Sequence, residues 1–377
     1  MKIKDFAVER FFAKYEFRAK YLLSSSDCDG YKMQDILKLA SENELEQWHN
    51  LKLGYTESSG SEELRASIKQ HYQNITIDEI LVASPGELNF ITVNILLNAG
   101  DHVVCQSPMY QSLYQVAKDS GCSVSFWKPE INNNRWYYNP SDLERLIRPD
   151  TKLIAINFPH NPTGYSPNIR EYNEILDIAR KNGVAVFSDE MYRFLHLDPD
   201  DNLPSASDLY ENAISLWGTS KTFGLAGLRL GWLTTKNKTL LDKIVSFKDY
   251  LSICNSAPSE ILGTIALNNL DRILQPNITK IKTNIEHFDA FHYRNAVFFD
   301  FIKPNSGSTA FVKLNIKETA MEFAERLVKE KGIMLLPSEM FEFGTEHVRI
   351  GFGRQNMPEI LDIFEHYIND EYKNYCK

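Results

Sequence analysis

Between residues 79 and 234 the chain repeats one pattern, a short apolar run, a turn, then a longer amphipathic or polar stretch. The runs are Glu79–Ala83, His102–Ser107, Ser123–Lys128, Lys152–Asn157, Val184–Ser188, Ala213–Trp217 and Leu228–Thr234, each five to seven residues long. That is strand length, whereas Asn168–Lys181 carries Tyr172, Ile175, Leu176 and Ile178 at helical spacing. Strands separated by helices need crossover connections, so the pattern predicts an α/β fold, with a mostly parallel seven-stranded sheet sandwiched by helices. From about residue 275 the texture changes. Helical Ile278–Phe291, strand-like Ala310–Leu314, helical Thr319–Lys331, strand-like His347–Phe352 and helical Pro358–Tyr372 read as a smaller α+β domain. The expected division is residues 46–274 as the large domain and 275–377 as the small one. Residues 1–45 hold no strand pattern that joins the main sheet, and are expected to pack on the small domain or cover the site.

Composition excludes several function classes. A net charge of −9 argues against a nucleic-acid partner, because phosphate contacts need a basic face. No apolar run approaches the ~18 residues of a membrane span. Glu9, Lys14 and Glu16 interrupt what would be the apolar core of a secretory signal. The five cysteines (28, 105, 122, 254 and 376) include no C-x-x-C pair, which fits a reducing cytoplasm. No His/Cys/Asp cluster has metal-ligand spacing, so no metal is expected.

In open α/β sheets ligands bind beyond the carboxyl ends of the strands, and there the unusual residues gather. Ser84-Pro85-Gly86-Glu87 follows one strand and opens a helix, whose free N–H groups suit an anion. Pro108-Met109-Tyr110, Asn157 to Gly164, Asp189-Glu190-Met191-Tyr192 and Gly218-Thr219-Ser220-Lys221 follow four others. Lys221 precedes Arg229 by eight residues, and Arg229 has glycines two positions away on either side. If residues 227–232 are extended, Gly227, Arg229 and Gly231 share a face and leave room for a bulky anion on the guanidinium. An amine beside such an anion site points to a Schiff-base lysine holding a phosphorylated aldehyde. For an isolated pair, a solvated lysine and a surface arginine explain the same residues.

Together these motifs resemble the class I/II aminotransferases, fold type I enzymes that use pyridoxal 5′-phosphate, over roughly Leu53 to Phe352. The resemblance implies that Lys221 carries the cofactor and moves the proton at Cα. It implies that Asp189 faces the pyridine nitrogen, that Asn161 and Tyr192 hold the phenolic oxygen, and that Tyr110 stacks on the ring. Asp189 as a helix cap, Asn161 as a turn residue and Tyr110 as a core tyrosine are the plainer readings. The phosphate is expected on the N–H groups of Gly86, Glu87 and Leu88, with Ser220 and Arg229. The family commonly has serine three residues before the lysine; here Gly218 stands there, so that phosphate contact is either missing or made by Thr219. Tyr55 resembles the tyrosine that reaches the partner's phosphate, which implies a homodimer with shared active sites. Arg349, on one face with Gly351 and Gly353, would bind the substrate α-carboxylate, with Arg354 one register step away.

The expected reaction is transfer of an amino group between an L-amino acid and a 2-oxo acid. Acids in the first 30 residues, Glu16 and Asp27 among them, would instead suit a substrate with a cationic side chain, or form the polar face of a helix. Val8 to Phe12, Lys248 to Tyr250 and Ile253 to Pro258 look like a subgroup that includes capreomycidine synthase and arginine oxidases. On that alternative the chain runs an oxidase, hydroxylase or cyclase reaction on arginine or a similar amino acid. A non-enzymatic fold type I domain is the third reading. A dehydrogenase is excluded, since Gly351-Phe352-Gly353 lacks the third glycine of a dinucleotide loop.

Overall fold

Seven strands form the main sheet of the computed structural model, which describes residues 2–198 and 201–372; Cys376 lies outside the described residues. They are β1 (Ile80–Ala83), β2 (His102–Gln106), β3 (Ser123–Trp127), β4 (Thr151–Asn157), β5 (Ala185–Asp189), β6 (Ala213–Gly218) and β7 (Gly231–Thr234). Their order is β1-β7-β6-β5-β4-β2-β3. Only β7 runs against the others, pairing antiparallel with β1 and β6. This is the α/β sheet the apolar runs predict, with boundaries shifted by one to three residues. The largest shift is at β7. Residues Ala226–Leu228 form a 3-10 turn and Arg229 takes a left-handed φ of 53°, so the expected extended run from Leu228 does not exist. Gly227, Arg229 and Gly231 therefore share no strand face.

Packing at the end of this sheet explains two glycines. Gly218 and Gly231 face each other in register across β6 and β7. A Cβ on Gly218 would lie 2.9 Å from Gly231 Cα, and one on Gly231 would lie 2.6 Å from Pro85 Cγ. Their absence lets Pro85 settle against the sheet and fixes the start of helix Pro85–Leu96 over the strand ends. Just below, Trp217 and Trp232 pack edge to face at 5.0 Å, a pair worth about 0.5–1.5 kcal/mol beyond its buried area.

The second sheet comprises β8 (Phe299–Asp300), β9 (Thr309–Leu314), β10 (Leu336–Pro337) and β11 (His347–Gly351), in the order β8-β9-β11-β10. Helices Ala320–Lys331 and Met357–Tyr372 accompany it. Helix Leu270–Arg294, longer than the predicted Ile278–Phe291, ties the two sheets together. Its Asn277 donates to Thr222 O (3.1 Å) and its Asn284 donates to Phe352 O (2.8 Å). The N-terminal segment meets both sheets. Tyr21–Leu22 pairs parallel with Ile333–Met334, and Gly351 N–H donates to Leu23 O at 2.8 Å. Near helix Ala7–Tyr15, Gln111 accepts from Ala7 N–H and donates to Asp5 O. No helix of the described residues is long and apolar enough to cross a membrane.

Candidate active site

The carboxyl ends of β4, β5 and β6, helix Pro85–Leu96, strand β11 and the N-terminal segment converge on one place. Asp189 is the last residue of β5 and is buried. Burial raises its carboxyl from 3.8 to about 6, against the pull of the Met191 N–H and the Lys221 charge. Asn157, its register partner on β4, donates to Asp189 O (2.7 Å) and accepts from Asn161 N–H (2.8 Å). One amide thus fixes both the strand end and the loop that carries Asn161. Lys221 follows β6, is half-buried, and donates from Nζ to Ser26 Oγ at 3.0 Å.

Arg349, in the middle of β11, is 2% exposed. Its Nε and Nη2 donate to Ser24 O, and its Nη1 donates to Asn161 Oδ1 at 3.0 Å. No carboxylate of the described residues lies within ion-pair distance of it, although burial works against its charge. A buried cation without a counter-ion is costly unless a ligand supplies the anion. Gly351 and Gly353 share its side of the strand, and the reason is steric. A Cβ there would meet Ser25 O at 1.7 Å and Asp27 O at 2.3 Å, so the 24–28 backbone lies directly on the two glycines.

The anion-binding expectations sort differently. Helix Pro85–Leu96 begins as expected, and by helix geometry the Gly86 and Glu87 N–H groups are free. Leu88 is not available, because its N–H closes the first turn onto Ser84 O at 3.0 Å. Nor does Thr219 have a hydroxyl proton to offer, since it sits against Leu230 O (3.1 Å) and Leu225 O (3.4 Å). Ser220 Oγ, by contrast, is buried and has no hydrogen-bond partner. A serine at position 218 is sterically excluded, so the departure from the family pattern follows from the close approach of Gly231. Arg229 is exposed at the left-handed corner, its Nη1 donating to Ala226 O (3.2 Å), and it joins no ion pair among the described residues. An orphaned buried hydroxyl, two free helix N–H groups and an unpaired guanidinium fit a phosphate.

Tyr110 donates to Glu9 Oε1 at 2.5 Å and packs on Phe6 at 4.6 Å. Burial, then Glu9, raises its phenol well above the usual range. Tyr192 is buried in the turn after β5, close enough to act electrostatically on Tyr110 and Arg349. Tyr55 stands apart, 90% exposed on the loop before helix Glu62–Lys69. Of the two acids singled out, Asp27 is already occupied. Arg354 donates to both its oxygens at 3.2 and 3.1 Å, which also removes Arg354 as a rival to Arg349. Glu16 has no partner among the described residues, and burial, with Asp27 and Glu9 nearby, raises its carboxyl. The sequence reading placed Asn157 in a site loop without giving it a role, and Ser24 and Ser26 escaped it. The serines act through one carbonyl and one hydroxyl, and no residue pattern announces a main-chain acceptor.

Comparison with known proteins agrees with this geometry. The family Aminotransferase class I and II matches residues 18–363. The chain belongs to that family and is accordingly a pyridoxal-phosphate-dependent enzyme of the aminotransferase type. Among curated relatives, capreomycidine synthase from Streptomyces vinaceus is 27% identical over 356 residues, covering 93% of this chain and 88% of the relative. Aspartate aminotransferase from Sulfurisphaera tokodaii is 28% identical over 337 residues, covering 82% and 83%. A PLP-dependent aminotransferase from Streptococcus suis superposes with a TM-score of 0.91 at 28% identity, covering 98% of this chain and 99% of that one.

Proposed function

We propose that the protein transfers an amino group between an L-amino acid and a 2-oxo acid at the Lys221 site, as a cytoplasmic homodimer. The observation that carries this reading is Arg349, a buried guanidinium that no acidic side chain of the described residues neutralises, aimed between Ser24 and Asn161. A substrate α-carboxylate fits it, accepting two parallel N–H bonds. The cofactor, when bound, supplies an aldehyde for the lysine amine and an electron-withdrawing ring for the substrate. Lys221 Nζ holds and returns the proton at Cα, with Ser26 Oγ orienting it. Asp189 would accept from the ring nitrogen; burial holds its carboxyl up at about 6, and a cationic partner there would offset the cost of its charge. The N–H groups of Gly86 and Glu87, Ser220 Oγ and Arg229 hold the phosphate. Asn161, whose Nδ2 stays free while Oδ1 faces Arg349, holds the phenolic oxygen with Tyr192. Tyr110 covers the ring face.

The dimer rests on exposed side chains that a lone chain has no reason to display. Leu53, Tyr55 and Tyr250 are 85–90% exposed, and Ser58 ties their two loops together by donating to Ile253 O at 2.8 Å. Tyr55 from such a face reaches the partner's phosphate. The free thiols of Cys28, Cys105, Cys122 and Cys254 support a reducing compartment.

A second reading has its own observation. Glu16 is an unpaired, partly buried carboxylate whose charge Lys221 feels, a natural partner for a guanidinium or ammonium side chain. The similarity to capreomycidine synthase supports it. On this reading the enzyme acts on arginine or a similar amino acid by an oxidase, hydroxylase or cyclase route. Steady-state turnover of arginine with and without pyruvate or 2-oxoglutarate separates the two. Transamination requires the 2-oxo acid; turnover that needs only oxygen, or that proceeds without either, removes the first reading.

A further inference from the structure

A crevice of about 440 Å³ opens between the β3 edge of the main sheet and the 341–347 loop of the second sheet, and Lys221 does not line it. Five aromatic rings line it: Tyr114, Phe126, Phe341, Phe343 and the ring of His347. His347 lies flat on Phe311 at 4.9 Å and 19°, and burial lowers its imidazole to about 4, so it presents a neutral ring. Tyr114 is 1% exposed and stands edge-on to Phe126 at 5.3 Å, yet its hydroxyl finds no hydrogen-bond partner. An unmet buried donor in a concave aromatic wall is a ligand's attachment point or an unexplained loss of stability.

The two acids that line the crevice are each faced by a lysine, Glu342 by Lys4 at 2.6 Å and Glu346 by Lys313 at 3.8 Å, although Glu342 still acts electrostatically on the Tyr114 phenol. The cations of the crevice are free. Lys128 lines the crevice, Lys118 Nζ sits 5.9 Å from the Tyr114 and Phe126 rings, and neither joins an ion pair among the described residues. We propose that this crevice is a second ligand site, which takes a small aromatic carboxylate. Its ring packs between Phe126, Phe343 and His347, and its carboxylate accepts from Tyr114 Oη and faces Lys128. The proposal does not depend on the reaction run at Lys221. Its occupant would nevertheless sit one side chain from that site, because Phe341 lies 5.9 Å from the Arg349 guanidinium.

Equilibrium dialysis of the cofactor-loaded enzyme against indole-3-acetate tests the assignment, in the wild type and in Tyr114→Phe, Lys128→Gln and Arg349→Ala. Saturable binding is expected in the wild type and in Arg349→Ala, with affinity lower by about fivefold in each crevice variant, the loss of one hydrogen bond or one partly screened charge. Tyr114→Phe preserves the ring and its packing, so its effect reads the hydroxyl. Three results overturn the proposal: no saturation below about 5 mM, where binding is worth only about 3 kcal/mol; unchanged affinity in both crevice variants; or loss of binding in Arg349→Ala, which would place the probe in the first site.

Discussion

Leu228-Arg229-Leu230-Gly231 and Val348-Arg349-Ile350-Gly351 spell the same pattern, and the chain folds them oppositely. Arg349 lies in a strand paired on both sides, with Phe311 on β9 and Leu336 on β10 as register partners. Alternation holds there, and the guanidinium is driven inward. Arg229 sits at a corner one residue before its strand partner appears, since Leu230 O accepts from Thr219 N–H and β7 begins only at Gly231. A non-glycine residue in the left-handed region costs about 1–2 kcal/mol. The corner leaves its guanidinium exposed and unpaired. Alternation is thus a property of backbone that has neighbours to pair with, which the residue pattern alone does not reveal. On the proposed function the difference also separates two tasks, a closed cation for a substrate and an open one for the cofactor.

Lys221 lies between these tasks, so its loss has the largest effect. Lys221→Ala should lower kcat by about 10³-fold or more, some 4 kcal/mol of barrier, and abolish the borohydride-trapped cofactor adduct at this position. Normal turnover or a trapped adduct elsewhere would mean that neither arginine is arranged around an amine. Arg349→Ala should lower kcat/KM for amino acids by about 2–5 kcal/mol equivalent, as expected when a buried charge pair loses one partner, while cofactor loading stays intact. An equal loss on an amine without a carboxylate would remove Arg349 from substrate binding.

Asp189 tests the cost of building the closed region. A carboxyl raised from 3.8 to about 6 stabilises the cofactor-free fold fully only below pH 3.8, and that contribution is lost as pH rises through 6. Held up at about 6, that carboxyl costs the fold about 3 kcal/mol at pH 8. Cofactor-free Asp189→Asn should therefore melt higher than wild type at pH 8 and nearly equal to it at pH 4, while the cofactor-loaded variant loses activity. Thermal melts at the two pH values decide it; a destabilised variant at pH 8 would show that Asp189 has a compensating partner.

Arg229→Ala should act on the other half of the comparison. Losing a charge-assisted hydrogen bond to phosphate costs about 1.5–3 kcal/mol, read as weaker cofactor affinity, with kcat nearly normal at saturating cofactor. If Arg229→Ala instead raised KM for the amino acid and Arg349→Ala released cofactor, the two assignments would have to be exchanged.

Much of this was legible before any coordinates, and the failures have a common cause. Strand-length apolar runs place β1 to β6 within one or two residues, because strands of a sheet covered by helices on both faces are predominantly apolar. Asp189, Lys221 and Asn161 stand at strand ends, where polar residues interrupt those runs. What escaped depends on who already holds whom. Thr219 and Ser220 are both hydroxyls beside the lysine, yet only the geometry shows one taken by backbone carbonyls and the other left open. Asp27 and Glu16 are both acids in the same segment, yet only one has Arg354. The N-terminal segment was hardest to place, since its contact with β11 runs through main-chain atoms lying on Gly351 and Gly353.

Glu16 gives the smallest and most discriminating effect. It is only partly buried, so its attraction for a cationic side chain is screened and amounts to about 1 kcal/mol or less. Substitution by glutamine should raise KM for arginine by up to about fivefold and leave KM for alanine unchanged. The pH dependence sharpens this. Burial and the neighbouring acids raise the Glu16 carboxyl above its ordinary 4.5, so its negative charge is complete only at higher pH than for a free glutamate. The wild-type preference for arginine over alanine should therefore grow as pH rises through that titration, and Glu16→Gln should flatten the profile. A profile unchanged by the substitution would leave the closed region with Arg349 as its one selective charge, and the uncharged part of the pocket would then set which amino acid is accepted.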